Sequence, residues 1–435
     1  MTIPTLERPS LRTPKRAPVR TSGPGPARHL VAERRPFHSI PRATWERLRA
    51  RNPWATPFSA WAFHCAWWDG YGESAHEQNL VIVDPTVPAS PDGSGPEPVA
   101  IVPLMHRHVV EAADATTHTT IRHGGTEAAL TSVPPSAKAV YFGASYHADY
   151  ATILGDPAEF PAVAEAVAEA LGAAGHVDPE HPAEWDVVDL RRLRRGDPAI
   201  EALAAAFGAR EIHEGWTLNL EREDVCPVAT LPAGATLDDY LGTLGKKDRH
   251  EIRRKVRRAE AAGEVRFDES RDPLAAGPDG RTDLDVFIDL HQARWGESGL
   301  FPDTLGGVES RAFIRRLFEE FGVVAAVDVA GGDAAAGSSV PGSPIRLSFL
   351  WIGDRRVASS IHFETSDSIL YYNAGVDPAA FELSPGVLLV WSLVRRALET
   401  GRTRLDFLRG DEGYKYEWGA VDEPIQRLLV RRSVA

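Results

Sequence analysis

The sequence predicts a two-lobed α+β protein. Its 435 residues exceed one ordinary hydrophobic core and suffice for two domains of roughly 200 residues beside a tail. The composition, with 43% apolar residues, 25% charged residues and 11 tryptophans, is typical of a globular chain that buries a sizeable core in each lobe. Helical and strand-like patterns occur together in both halves, which favours an α+β layer architecture.

The chain divides into a tail and two lobes. Residues 1–36 are rich in Pro, Arg, Ser and Gly and lack apolar periodicity, so they are predicted to form a disordered basic tail. Residues 37–225 are predicted to form the N-terminal lobe, and residues 226–435 the C-terminal lobe.

The first lobe contains, in order, an aromatic helix, two strands around an elongated loop, an alanine-rich helix and one more strand. The second lobe contains a basic helix, two amphipathic helices, a three-stranded meander, a capped helix and a closing strand. The first-lobe elements are predicted over residues 58–68, 80–83, 99–104, 161–174 and 185–190. Those of the second lobe are predicted over residues 246–258, 283–296, 310–321, 346–352, 356–364, 369–376, 384–401 and 404–408.

Turn and cap residues set the predicted ends of the second-lobe helices. Gly296 and Gly322 are expected to end the two amphipathic helices. Ser384 is expected to be the N-cap of the last helix, with Pro385 in its first turn. Residues 330–344, rich in Gly, Ala and Ser, are predicted to be a mobile loop.

Charge, cysteine content and missing motifs exclude several classes of protein. The net charge of −13 opposes general nucleic-acid binding, so a polyanion site would need a local basic patch. The two cysteines, Cys65 and Cys226, are too few for a disulfide framework or a multi-cysteine zinc site. The chain has no apolar stretch of about 18 residues and no secretory signal, which predicts a cytoplasmic protein without a membrane span. Serine-hydrolase, phosphate-loop and zinc-helix motifs are absent, and no metal is predicted.

Three stretches together resemble one superfamily. They are LGKKDRHEIRRKVRRAEAAG, HQARWGESG and LSPGVLLVWSLVRRALETGRTRLDFLRGDEGYKYEWG. With the order of elements, they resemble the GNAT acyltransferases, in particular the double-lobed branch that includes Fem-type peptidyltransferases and acetyltransferases linked to cellulose biosynthesis. The resemblance implies two GNAT-like lobes that share a central cleft, each with a mixed or antiparallel sheet flanked by helices. It also implies that the second lobe holds the acyl donor.

The resemblance implies acyl-CoA, with acetyl-CoA favoured, as the donor at Ser384, Pro385, Gly386 and Val387. Free amides at a helix start carry partial positive charge and suit a pyrophosphate. GNAT enzymes usually carry Gln or Arg followed by two spaced glycines here, and this chain departs from that pattern. The ester end of an aminoacyl-tRNA is therefore an alternative donor.

Four residues are candidates for the chemistry. Lys415, beside Tyr414, is predicted to stabilise an oxyanion or hold a phosphate, with a solvated surface lysine as the alternative. Asp406 is predicted to orient the amine or act as a base, with a structural ion pair as the alternative. Tyr371 and Tyr372 alternate on one strand, so one is expected to face the cleft, and Tyr372 is chosen.

Substrate contacts are predicted from charge and from the resemblance. The basic helix carries eight Lys and Arg side chains and favours polyanion contact through Arg253 and Arg254, with a solvated face as the alternative. The resemblance implies an acceptor-side pair, Asp149 and Tyr150. It also places Trp295 near the cleft, with core packing as the alternative.

The leading hypothesis is an N-acyltransferase in which a neutral amine attacks the acyl donor directly. The acceptor would be a small-molecule, glycan or peptide amine. A Fem-type transferase that uses aminoacyl-tRNA is the second hypothesis. A non-catalytic binding module with the same fold is the third, because fold does not fix function.

Overall fold

The computed structural model describes residues 28–88, 95–107, 130–134, 137–172, 185–329 and 343–432. Residues 1–27 of the predicted tail and residues 330–342 of the predicted mobile loop lie outside the described residues.

Strands and helices are mixed through both halves of the chain. The strands are β1 (Val31–Arg34), β2 (Ala75–Glu77), β3 (Leu80–Val83), β4 (Ala100–Val102), β5 (Leu104–Arg107), β6 (Ala139–Phe142), β7 (Leu154–Gly155), β8 (Val187–Arg194), β9 (Trp216–Thr230), β10 (Val265–Glu269), β11 (Ile345–Ile352), β12 (Arg355–Glu364), β13 (Ser368–Val376), β14 (Arg404–Asp406) and β15 (Val421–Arg432). The helices are α1 (Arg42–Arg51), α2 (Trp61–Tyr71), α3 (Phe160–Gly172), α4 (Pro198–Glu214), α5 (Leu237–Thr243), α6 (Lys246–Ala262), α7 (Asp283–Trp295), α8 (Leu305–Val329), α9 (Pro385–Glu399) and α10 (Gly413–Tyr416).

The predicted α+β class is confirmed, with sheets flanked by helices. A four-stranded sheet has the order β1-β3-β4-β7, and an eleven-stranded sheet has the order β10-β11-β12-β13-β14-β9-β15-β8-β6-β5-β2. The larger sheet is continuous across both halves. The two halves therefore share one sheet, and residues of both halves line a common cavity.

Each half contains a parallel crossover of the same kind. In the first half, β6 and β8 are parallel neighbours joined through α3, and in the second half β13 and β14 are parallel neighbours joined through α9. The strand that follows each crossover pairs in the other half: β9 lies beside β14, and β15 lies beside β8. This exchange joins the halves, and the proposed boundary between residues 225 and 226 falls inside β9.

Several local predictions differ from the structure. The prediction that residues 1–36 form a disordered tail is wrong for Val31–Arg34, because these residues form β1 and pair with β3. Gly322 does not end a helix, since α8 continues to Val329. Strand β15, which the sequence reading did not assign, lies between β9 and β8 in the large sheet.

In the described part of the chain, no helix combines the length and apolar character needed to span a bilayer.

Candidate active site

The second-half crossover opens into a fork. Strands β13 and β14 pair over three rungs, and the last rung joins Leu370 to Asp406. Beyond it β13 continues to Val376, while the other strand ends and the chain turns at Leu408, which has a φ of 57°. Because the backbones diverge there, a gap opens between the two strands.

Two cavities occupy this gap and together form what we call the fork channel. The inner cavity has a volume of about 300 Å³ and the outer cavity about 330 Å³. Both contact Arg294, Tyr371 and Tyr414, so they are neighbours along one path. The outer cavity reaches the start of α9 at residues 384–387.

The start of α9 is open. Ser384 occupies the predicted N-cap position, but it adopts a left-handed conformation, with φ 55° and ψ 50°, and its side chain makes no capping hydrogen bond. Its hydroxyl instead accepts a 2.6 Å hydrogen bond from Arg258 of α6. A Cβ at Gly386 would meet no atom within 4 Å. The helix start thus combines open space, an uncapped N-terminus and a nearby cation.

The corresponding fork in the first half is filled by its own chain. There Ala151 forms a parallel bridge to Leu193, and its amide donates to the Arg192 carbonyl at 3.0 Å. The helical segment that leads into α3 is capped by the Asp156 carboxylate, which accepts from the Ala158 amide at 2.9 Å. In the first half, a carboxylate thus already occupies the anion-binding position at the helix start. Of the two forks, only that of the second half leaves this position open.

Both tyrosines of β13 line the inner cavity, so the expectation that one would face the cleft is wrong. Of the two tyrosines, Tyr371 also lines the outer cavity, so it borders both parts of the channel, as Arg294 and Tyr414 do. The Tyr372 hydroxyl donates to the His147 carbonyl at 3.0 Å. Burial raises the pKa of Tyr372 well above its ordinary value, which keeps this phenol protonated.

Lys415 is neither a solvated lysine nor a free cation at the fork. Its side chain is 3% exposed, and its ammonium donates to the carbonyls of Leu408, Arg409 and Gly410 at 3.0, 2.9 and 2.8 Å. It also lies 2.9 Å from a Glu412 carboxylate oxygen. An ammonium has three protons, so these contacts account for all of them, and Lys415 holds the loop that follows β14.

Helix α7 forms another wall of the inner cavity. It packs closely on β13, because a Cβ at Gly375 would lie 2.6 Å from the His291 backbone nitrogen. The His291 ring is satisfied on both sides: Nδ1 lies 3.0 Å from the Ala374 carbonyl, and Nε2 accepts from the Leu300 amide at 3.2 Å. Burial lowers its pKa to about 4. Trp295 lines the same cavity and is 47% exposed, so it is not a core residue.

A larger cavity of about 860 Å³ lies between the two halves. We call it the interlobe cavity. Its first-half wall contains Trp54, Tyr150 and the arginines at the end of β8, and its second-half wall includes the start of β13 and all but the middle residue of β14. The charged residues that line it are Arg194, Arg195, Asp367, Arg404, Asp406, Asp422 and Glu423.

Asp406 lies where the interlobe cavity meets the fork. It lines the interlobe cavity, whereas the next residue, Phe407, lines the inner fork cavity. Its carboxylate accepts from the Tyr150 hydroxyl at 2.7 Å and from the Leu408 amide at 2.8 Å. Burial raises the pKa of Asp406 to about 6. The alternative role of Asp406, an ion pair with Arg404 or Arg409, is not formed, because Arg404 binds Glu423 at 2.7 Å and Arg409 binds Asp149 at 3.4 Å.

The remaining predicted contacts fall in two places. Asp149 forms an ion pair at 3.4 Å with Arg409, which lies three residues after Asp406. Arg253 and Arg254 lie outside the three cavities on the exposed face of α6, where Arg253 pairs with Asp238 at 2.8 Å and Arg254 with its neighbour Glu251 at 2.6 Å. The solvated-face alternative therefore describes them better than a phosphate site.

Two arginines at the fork channel were not singled out from the sequence: Arg294 lines both cavities, and Arg258 contacts Ser384, which lines the outer one. Arg258 lies one turn beyond Arg254 on α6, and only the packing of α6 near α9 shows that it meets Ser384. Arg294 lies at the end of α7 inside the HQARWGESG stretch, beside the tryptophan that was chosen. Among the described residues, no group of three or more His, Cys, Asp or Glu side chains is placed to hold a metal ion.

Comparisons with known proteins give one family match and several similar solved structures. Residues 246–416 match the family model described as "Acetyltransferase (GNAT) domain". A crystal structure of FemX is similar over 89% of this chain and 96% of that chain, with a TM-score of 0.50 and 9% identity. The structure of L-PGS from Bacillus licheniformis is similar over 91% of this chain and 92% of that chain, with a TM-score of 0.47 and 12% identity. A tandem GNAT protein from the clavulanic acid biosynthesis pathway is similar over 93% of this chain and 98% of that chain, with a TM-score of 0.44 and 10% identity.

The search of curated proteins gives no match. Residues 246–416, which lie in the second half, are thus similar to a GNAT acetyltransferase domain, and the chain has an α+β fold similar to that of FemX. The fork, the α9 start and Asp406 all lie within the matched residues.

Proposed function

We propose that this protein is an N-acyltransferase that transfers an acyl group, most simply acetyl, from acyl-CoA to an amine by direct attack. One observation carries the proposal. The fork channel runs from the open start of α9 to the last rung of β13 and β14, and Asp406 faces the interlobe cavity at that same rung. Two separate approaches therefore end at one point, as a two-substrate transfer requires.

The donor would lie in the fork channel. The pyrophosphate would meet the Gly386 amide and the positive end of α9, with Arg258 and Arg294 as flanking cations. The outer cavity is lined mainly by apolar and aromatic side chains, including Val376, Phe381 and Val387, which suit the pantetheine arm. The inner cavity, of about 300 Å³, must hold both the acyl group and the attacking nitrogen, which favours a short acyl chain.

The acceptor amine would approach from the interlobe cavity. Its nitrogen attacks the thioester carbonyl carbon, the carbon–sulfur bond breaks, and the products are an amide and CoA thiol. Asp406 accepts the proton that the nitrogen loses and later releases it to solvent, and the departing thiolate takes up a proton from solvent. With a pKa of about 6, Asp406 is mostly ionised at neutral pH and is a stronger base than an ordinary aspartate.

A cytoplasmic location is supported by two cysteines that are unpaired and buried, which suits a reducing compartment. Among the double-lobed acyltransferases, the group linked to cellulose biosynthesis is supported by the sequence stretches that resemble it. The acceptor class, whether small-molecule, glycan or peptide amine, is left open by a cavity of this size.

The test is calorimetric titration with acetyl-CoA and, separately, with unfractionated tRNA, each at low and high salt. We expect acetyl-CoA to bind with shallow salt dependence, because it carries few phosphates. Micromolar tRNA binding that collapses as salt rises, with no acetyl-CoA binding, would replace the proposal by the Fem-type alternative. Release of CoA thiol in the presence of an amine panel then separates an enzyme from a non-catalytic module.

A further inference from the structure

A short segment of the first half, residues 147–150, contacts three second-half residues in succession. They are Tyr372, Arg409 and Asp406. The His147 carbonyl accepts from the Tyr372 hydroxyl at 3.0 Å. Two residues later, Asp149 pairs with Arg409. The next side chain, Tyr150, donates to Asp406 at 2.7 Å. We call residues 147–150 the cross-half segment.

The cross-half segment is held firmly by its own half. It leads directly into Ala151, whose backbone is bridged to β8. The Tyr150 ring lies beneath the Arg194 guanidinium, with 5.0 Å between the guanidinium carbon and the ring centroid, and it packs edge-on against Phe58. The same stretch of chain that closes the first-half fork therefore presents Tyr150 to the second half in a fixed position.

Tyr150 lines the interlobe cavity, but only a small part of its surface is exposed there. It is 3% exposed, and its hydroxyl is directed at Asp406. We propose that the cross-half segment is a positioning element through which the first half completes the second-half active site, with Tyr150 fixing the orientation and charge of Asp406. The inference rests on the proposed function, in which Asp406 is the base.

The hydrogen bond acts on the carboxylate in a definite direction. Donation from Tyr150 and from the Leu408 amide favours the ionised form of Asp406 and opposes the effect of burial, which raises its pKa. The other charged groups that face it are Glu423, which raises the pKa, and Arg404, which lowers it. The Cys226 thiol lies nearby, and burial raises its pKa well above the ordinary value, so it contributes no charge at neutral pH.

The test is a ¹³C NMR titration of the Asp406 carboxyl in wild-type protein and in Tyr150→Phe. This substitution keeps the ring and removes the donor, so the pKa of Asp406 should rise by about one unit, a tenfold change in the ionisation equilibrium. Fluorinated tyrosine at position 150 has a more acidic phenol and should move the pKa in the opposite direction. It keeps the shape of the side chain even if the phenylalanine variant folds poorly. Tyr141→Phe, on β6 outside the cross-half segment, is the matched control and should leave the pKa of Asp406 unchanged.

The outcomes separate this inference from the proposed function. The acid limb of the acetyl-transfer rate against pH should move with the titration in each variant. Equal pKa values for Asp406 in all four proteins would overturn the positioning role, whatever the activity. A titration that moves as expected in a protein that never transfers acetyl groups would instead overturn the proposed function, because the coupling is measured without donor or acceptor.

Discussion

Lys415→Ala should destabilise the second half before it affects any chemical step. The side chain binds three carbonyls that converge because Leu408 and Gly410 have φ values of 57° and 104°. The Leu408 carbonyl belongs to a buried residue, and an unpaired buried acceptor costs about 1–3 kcal/mol. Water can reach the other two carbonyls, since Arg409 and Gly410 are half-buried. The expected loss in the free energy of unfolding is therefore about 3 kcal/mol in total.

The assay is urea unfolding followed by tryptophan fluorescence. With a denaturant slope of about 3 kcal/mol per molar, the midpoint should fall by about 1 M. Lys247→Ala is the control, because Lys247 is an exposed lysine on α6 and should change stability by less than about 0.5 kcal/mol. If Lys415→Ala unfolds with the wild-type midpoint and yet loses transfer, the structural role is refuted and the lysine belongs to the chemistry.

Three further substitutions test the donor and the base. Gly386→Val should weaken acetyl-CoA binding by about tenfold or more in calorimetry, because a side chain there enters the space at the α9 start; unchanged affinity would place the donor elsewhere. Arg258→Gln should weaken acetyl-CoA binding by about five- to tenfold, whereas the double change of Arg253 and Arg254 to Gln should not, and the reverse order would restore the sequence-based assignment. Asp406→Asn should lower the transfer rate by about 10²-fold or more with little change in donor affinity. In wild-type protein the transfer rate should fall as pH drops through about 6, where Asp406 takes up its proton. A transfer rate that is independent of pH between 5 and 8 would argue against Asp406 as the base.

Local patterns predicted most elements of the second half, because they are long and bounded by clear signals. The meander of β11, β12 and β13, helix α7 with Gly296 at its end, and helix α9 with Gly401 beyond it all occur as expected. What the patterns could not give was the pairing of distant strands. Strands β9 and β15 exchange between the halves, and that register depends on contacts between residues about 200 positions apart.

The candidate site was predictable in part. Asp406 ends a strand and residues 384–387 begin a helix that sequence motifs identify, and Tyr414 lies on the short helix α10 that follows the strand. The partners of Lys415 were not predictable, since three carbonyls converge only through the backbone geometry of one loop. Likewise, charge density on α6 does not reveal that Arg258, rather than Arg254, meets Ser384, because that depends on how α6 packs near α9.

The central claim is that the fork between β13 and β14 holds the acyl donor, and a crystal structure with bound CoA tests it most directly. We predict density for the pyrophosphate within hydrogen-bond distance of the Gly386 amide and beside Arg258. The pantetheine arm should pass between Tyr371 and Phe407, and its sulfur should end near the rung that joins Leu370 to Asp406. CoA bound elsewhere, or an empty fork at saturating CoA, would contradict the account.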